Sequence, residues 1–436
     1  MKTKIVDIMV RDIRFPTSKN LDGSDAMNAI SDYSATYVTL ITDSPDNIQG
    51  NGLTFTIGRG NELCVEAVKS LSALFVKDRY LEDITENFGA YWHELVAGDC
   101  QLRWVGPEKG VIHLATAAII NAIWDLWAKK EGKPIWKMLV DMSPEELVKC
   151  IDFTYLTDVL TPEEAITLLR KVESTKSQRE KEMLEVGFPG YTTAAGWLGY
   201  SEEKMRMLAR KAVEEGWTHL KQKVGADIEQ DMRRATILRE ELGWDRKLMM
   251  DANQIWSVDE AVQNMRKLAL FDPLWIEEPT SPDDILGHAT IRERIHPIGV
   301  ATGEHAHNRV MFKQMFQAKS LDFCQLDPAR LGGLNEVLAV ILMAAKYNIP
   351  VCPHGGGVGL CQYSQNIVLF DYIAVSASLE NRVLEYVDHL HENFLEPIVI
   401  KKGRYMPPKQ AGYSVTMKQE SIEQFVYPNG KEWVKN

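Results

Sequence analysis

Two rhythms of apolar and polar positions divide this chain. From Lys4 to Arg14 and from Tyr37 to Thr42 the residues alternate at period two, and the turn-rich SPDNIQGNG between Ser44 and Gly52 leads into a third short strand. An antiparallel meander fits this pattern. After Gly60 the period becomes helical, most strongly from His113 to the stop at Gly132-Lys133-Pro134. Residues 1–150 thus predict an α+β domain. From about Ile151, short apolar runs each followed by a helical pattern recur near Tyr191, Thr218, Lys247, Leu274, Ile298, Leu321, Ile349 and Tyr372. Eight such units match a (β/α)8 barrel, expected over 151–387. The charged stretch from Ser174 to Leu184 predicts a helix or excursion before the first barrel strand, with no catalytic role. Beyond Val387 the periodicity fades, and 388–436 is expected to return to the first domain.

Carboxylates end three successive apolar runs: Asp251 in KLMMDAN, Glu277 in LWIEEPT and Glu304 in IGVATGEH, spaced 26 and 27 residues apart. One acid per strand-helix unit, always at the strand's carboxyl end, builds a ring at the mouth of a parallel barrel. Such a ring suits a hard divalent cation, Mg²⁺ in particular. Alternation sends Glu278 to the opposite face from Glu277, toward the helices, so Glu277 is the expected ligand. Taken singly, each acid could equally be a helix cap or a surface group.

The ladder extends in both directions. Lys221 and Lys223 in THLKQKVG share one strand face, which in a barrel is the interior. One buried lysine bridging carboxylates, with Lys223 merely solvent-facing at the strand end, is the plainer alternative. In the catalytic reading, two ammonium groups near a divalent cation depress a lysine pKa and leave an amine able to take a proton. Asn253 follows Asp251 on the same side. Asp327 ends CQLD and His354 ends VCPHGGG, 27 residues later. A histidine oriented by a neighbouring carboxylate is a general acid or base, and a core histidine satisfied by backbone is the alternative. The glycines from Gly355 to Gly357, with Gly359, predict close approach of backbone to another group, such as a substrate carboxylate or a phosphate. They do not form a dinucleotide or Walker loop.

Bulk properties narrow the classes. The chain has 436 residues, enough for a large barrel with a second domain. Its net charge of -12 argues against sequence-independent nucleic-acid binding. Six scattered cysteines without a CxxC pair predict reduced, mostly buried thiols. No signal-peptide pattern and no run of about 18 apolar residues is read, so a cytoplasmic protein without membrane partners is expected.

The series K-x-K, D-A-N, W-I-E-E-P, G-E, D and P-H-G-G resembles the enolase superfamily, and the pairing of Asp327 with His354 resembles its mandelate racemase subgroup. AIWDLWAKKEGKPIWKML in the first domain is family-like as well. The runs RWVGPEKGVIHLATAA, EEPTSPDDILGHATI, GEHAHNRVMFKQ and LENRVLEYVDHLHENF are similar to L-fuconate dehydratases. Gln222 and Pro328 depart from the commonest members, and both point away from the inferred site.

The resemblance implies a capping domain over a modified barrel. It implies Mg²⁺ on Asp251, Glu277 and Glu304, and a small sugar-acid substrate whose carbon 2 proton is lost to give a metal-stabilised enediolate. Lys223 is then the base. Lys221, Asn253 and Glu385 contact substrate, with Glu380 as the rival of Glu385. His354, oriented by Asp327, protonates the departing 3-hydroxyl, yielding a 2-keto-3-deoxy acid. His305 and His307, beside Glu304, are expected within reach of substrate but outside this scheme, and the surface-like His389 and His391 are read as helix or loop residues. Lid loops are expected at Pro16–Asn28 and Gly52–Gly60, free of regular periodicity. A homo-oligomer is implied too. The competing functions are a dehydratase for another aldonate, a sugar-acid racemase or epimerase, and a non-catalytic binding protein on the same scaffold.

Overall fold

The computed structural model describes residues 2–434. Strands β1 (Ile5–Arg14), β2 (Ser34–Thr42) and β3 (Gln49–Thr56) form an antiparallel three-stranded sheet. The 21-residue helix Gly110–Lys130 lies across it, buried on nearly every side. Gly50 and Gly52 permit this approach: a Cβ on either would meet the helix backbone, at 2.3 Å from the Ala122 oxygen and 2.2 Å from the Ala118 oxygen. By length and composition alone this helix could cross a membrane. It is instead a core helix here, with 78% of its apolar window buried inside the protein.

The barrel strands are β4 (Phe188–Thr192), β5 (His219–Lys223), β6 (Lys247–Asp251), β7 (Pro273–Glu277), β8 (Gly299–Thr302) and β9 (Phe323–Cys324), each pairing in parallel with the next. The seventh position is a single bridge from Cys324 to Val351. The eighth is β10 (Leu384–Tyr386), parallel to β4. This corrects the expected strand at Tyr372, which lies in a wide helical turn, Asp371–Ser376, continuing the helix Leu360–Phe370. Both segments are almost wholly buried, and a buried helix carries the same continuous apolar signature as a buried strand. The fold is α/β: a (β/α)8-type barrel with an α+β capping domain. A short hairpin, β11 (Ile400–Lys401) with β12 (Arg404–Tyr405), adds to the outer edge of β4.

The stretch from Ser174 forms the helix Lys176–Val186, directly before β4. The tail touches the capping sheet: Tyr37 Oη donates to the Val415 carbonyl at 3.1 Å, and the Tyr427 amide donates to the Asp12 carbonyl at 2.8 Å. Five of the six cysteines are buried, Cys100 is exposed, and all are free thiols.

Candidate active site

The floor of the barrel mouth is an apolar layer of Tyr191, Met249, Trp275, Ala301, Phe323, Cys352 and Val383, drawn from successive strands. On β5 the residue level with Met249 is Lys221. One layer higher, Lys223, Asp251 and Glu277 pair across β5, β6 and β7 in one row. Period-two alternation thus stacks an ionic layer on an apolar one. Glu304 follows β8 by way of Gly303, whose φ of +141° and tight contact with Gln325 exclude a side chain.

Lys223, Asn253, Glu304, Asp327, His354 and Glu385 line one cavity of about 330 Å³, within the range of small-molecule sites. Asp251, Glu277 and Lys221 are buried behind that wall. Lys221 takes the bridging part of the plainer alternative, but Lys223 is buried and not solvent-facing as that alternative requires. Lys221 Nζ lies 2.7 Å from both Glu277 Oε1 and Glu385 Oε1, and Lys221 has no face on the cavity. Lys223 donates to Asp251 Oδ2 at 2.6 Å and to Asn253 Oδ1 at 3.0 Å. His354 Nδ1 lies 2.8 Å from Asp327 Oδ2, while its Nε2 lies 3.5 Å from Glu304 Oε2. Asp327 is wrapped by its own loop through the amides of Ala329 and Arg330. Glu385 sits on β10 itself rather than after the last strand, and the Gly355 amide donates to it at 3.1 Å. Glu380 is exposed and does not line this cavity.

Electrostatics among these groups are strained. Burial and the neighbouring acids push the Glu277 carboxyl well up, and burial with Glu278 pushes Glu304 up to about 7. Burial would raise Asp251 as well, but the two lysines hold it low. His354 is raised to about 10: burial favours the neutral ring, and Glu304 and Asp327 outweigh it. The expected depression of Lys223 is not found among the protein's own charges. Burial lowers it, and the Asp251 carboxylate overrides this and raises it. Like-charged carboxylates held this close call for a cation. Oxygens of Asp251, Glu277 and Glu304 all lie within 4.8 Å of one another, an all-oxygen set suited to a hard divalent ion.

Several features were not foreseen. Glu278 has φ +40°, so the chain leaves strand geometry and its buried carboxylate turns to His305, 2.7 Å from Nδ1, instead of toward the helices. Gln254, also at positive φ, donates to the same carboxylate at 3.0 Å. Glu278, Glu304 and His305 thereby form a second group with ligand atoms within 4.8 Å, sharing Glu304. His305 lines the cavity, as expected from its place beside Glu304, whereas His307 does not; Arg330, not expected there, lines it too, with its Nε buried without a hydrogen-bond partner. Of the glycines after His354, two make room for protein, a Cβ at Gly355 meeting the Glu385 carbonyl at 2.5 Å and one at Gly357 the Phe55 ring at 2.8 Å, while Gly356 lines the cavity itself. His391 is not surface-like; its ring stacks on Tyr386, with centroids 5.2 Å apart, and reaches the Val387 carbonyl. His389 packs 5.6 Å from the Tyr33 ring. Both lid segments contribute to the cavity, through Asp25 and Asn28 and through Phe55 and Arg59. The second is a strand as far as Thr56, not an irregular loop, and the first contains a short helical turn, Thr17–Asn20.

A parallel barrel with acids at the ends of successive strands, under an α+β cap, defines a family. The chain belongs to the enolase superfamily: the family described as "Enolase C-terminal domain-like" matches residues 204–421. Among its relatives, "Mitochondrial enolase superfamily member 1" of Homo sapiens is 57% identical over 437 residues, covering 100% of this chain and 98% of that protein. The crystal structure of the human protein superposes with a TM-score of 0.98, covering 99% of this chain and 98% of that one. "L-galactonate dehydratase" of Hypocrea jecorina is 54% identical over 426 residues, 97% of this chain and 93% of the relative. A crystal structure of an L-talarate/galactarate dehydratase mutant liganded with Mg and L-glucarate shares the fold, with a TM-score of 0.74 at 21% identity, covering 100% of this chain and 93% of that one.

Proposed function

We propose that this chain is a Mg²⁺-dependent acid-sugar dehydratase that converts L-fuconate to 2-dehydro-3-deoxy-L-fuconate. The observation that carries this reading is the placement of Lys223 and His354, which face one cavity from either side of the acids Asp251, Glu277 and Glu304. Those three acids are the residues that would hold the ion. When bound, Mg²⁺ supplies positive charge that competes with Lys223 for Asp251 and acidifies the hydrogen beside the substrate carboxylate. Lys223 takes that proton from carbon 2. The bond from carbon 3 to its hydroxyl oxygen breaks, and His354 delivers the proton with which the oxygen leaves as water. Asp327 keeps the Nδ1 side of His354 engaged, so that Nε2 faces the cavity. The resulting enol then tautomerises to the 2-keto acid. Lys221 holds Glu277 and Glu385 in position by bridging them, and Asn253 orients Lys223.

L-fuconate is 6-deoxy-L-galactonate, so the two acids share every stereocentre and differ only at the terminal carbon. The identity with the L-galactonate dehydratase of Hypocrea jecorina supports that configuration. Ile57, Leu63, Val111 and Leu114 give the cavity an apolar wall, which favours a terminal methyl over a hydroxymethyl group. A panel of aldonates with Mg²⁺, scored for 2-keto product, tests the assignment. Turnover of L-fuconate first and L-galactonate second supports it. Preference for a different diastereomer would move the substrate, and no turnover of any aldonate would revive a non-catalytic role. Epimerisation could use the same opposed pair, and exchange at carbon 2 without loss of water would reveal it.

A further inference from the structure

Outside the cavity, one buried carboxylate gathers four partners from three parts of the chain. Glu336 lies in the first turn of the helix Leu334–Lys346. Its Oε2 accepts from the Gly332 amide at 2.7 Å and lies 2.7 Å from His113 Nε2. Its Oε1 accepts from the backbone amide of Arg309 at 2.9 Å and from Arg309 Nη1 at 3.1 Å. His113, Arg309 and Glu336 are each at most 2% exposed. Partners in so dry a setting are held in fixed geometry, because leaving any of them unpaired is expensive.

The sequence positions of these partners give the cluster its meaning. Gly332 ends the loop that starts at Asp327 and wraps it with the amides of Ala329 and Arg330. Arg309 begins the helix reached from Glu304 through the turn in which the Ala306 amide donates to the Gly303 carbonyl. His113 belongs to the core helix of the capping domain. Cap residues grip the same loops elsewhere: Trp92 Nε1 donates to the Gly332 carbonyl at 2.6 Å, Asn121 to the Pro328 carbonyl at 3.0 Å, and Arg309 Nη1 to Glu108 Oε2 at 2.6 Å. Gly332 must remain glycine, since a Cβ there would sit 2.6 Å from the His113 ring.

We infer that Glu336 is a positioning residue for proton delivery. It locks the loop bearing Asp327 and the loop bearing Glu304 to each other, and His113 ties that lock to the cap. The inference rests on the reading of Asp327 and His354 as the proton-donating pair. Loosening Glu336 lets Asp327 drift, so His354 loses its orientation, while Lys223 on the far side of the cavity keeps its own partners.

The test compares the wild-type enzyme with Glu336→Gln, His113→Leu and His354→Asn, using L-fuconate and Mg²⁺ in D₂O. Carbon 2 exchange and water loss are followed together by NMR. His354→Asn should raise the ratio of exchange to elimination. Glu336→Gln should raise it about tenfold over wild type, with KM changed by less than about threefold, as expected for a catalytic group displaced by less than 1 Å. His113→Leu should change the ratio in the same sense by a smaller factor, and it decides the matter if Glu336→Gln does not fold. Equal loss of exchange and elimination in Glu336→Gln and His113→Leu, at an unchanged ratio, would mean that the cluster serves stability alone and would overturn the inference. An unchanged ratio in His354→Asn itself would instead remove the functional reading on which it rests.

Discussion

His354 and Asp327 are joined through Nδ1 and Oδ2 at 2.8 Å, both side chains buried, at the sixth and seventh positions of the barrel. The contact leaves Nε2 as the ring atom directed at Glu304 and the cavity. Asp327→Asn keeps the shape of the side chain and removes its charge. Turnover should fall by roughly 10²-fold or more, the scale of positioned acid catalysis, with little change in KM. Steady-state kinetics on L-fuconate checks this. A variant within a factor of two of wild type would detach Asp327 from the chemistry.

Lys223 stands opposite, held by Asp251 and Asn253 and lying 5.3 Å from the centre of the Trp197 ring. Lys223→Ala should abolish both dehydration and carbon 2 exchange, because no other amine lines the cavity among the described residues. Lys221→Ala removes the bridge between two buried acids and should lower stability as well as turnover. Both variants break buried ion pairs and should melt earlier than wild type, Lys221→Ala by more because it unpairs two acids, and differential scanning calorimetry ranks them.

The crowding of Asp251, Glu277 and Glu304 makes the ion a stabilising ligand as well as a chemical one. Mg²⁺ at a hundredfold excess over its Kd should stabilise the fold by about 3 kcal/mol, and chelator should reverse the effect together with activity. Asp251→Asn should show little of either response. Full activity of the wild type in excess chelator would dismiss the site.

Much of this site was legible because strands obey a strict alternation. Asp251 and Glu277 fall in one register row with Lys223, and that follows from period two and from strand ends alone. What escaped lies where the chain leaves the strand. Asn253, Gln254 and Glu278 adopt positive φ, a choice made by tertiary packing that leaves no mark on apolar periodicity. The turn at Glu278 is what brings its carboxylate to His305. The last strand was misplaced for a related reason. Leu384–Tyr386 has only three residues, whereas the helical segment before it is longer and carries the apolar runs Ile367–Phe370 and Tyr372–Val375. The contacts of Glu336 with His113 and Arg309 span 223 and 27 residues of sequence, so no local pattern could announce them.

Glu336 also makes a prediction about acid stability. Burial would raise its carboxyl, but His113 and then Arg309 hold it down at about 2. A carboxyl whose folded value lies below its unfolded value contributes stability in full above the unfolded value, near pH 4.5, and loses it as the pH falls toward the folded one. The wild-type advantage over Glu336→Gln should therefore narrow as the pH drops from 5 to 3. Urea midpoints across that range check it, and a gap independent of pH would contradict the assignment.

The proposed reaction removes a proton from carbon 2 and a hydroxyl from carbon 3 of one acid sugar. Proton NMR of L-fuconate with enzyme and Mg²⁺ in D₂O reads both events at once. The expected product is a 2-keto-3-deoxy acid carrying a single solvent deuteron at carbon 3, where the enol is reprotonated. Recovery of only the sugar acid, deuterated at carbon 2 with its 3-hydroxyl intact and with no keto acid formed, would contradict dehydration and assign the site to epimerisation.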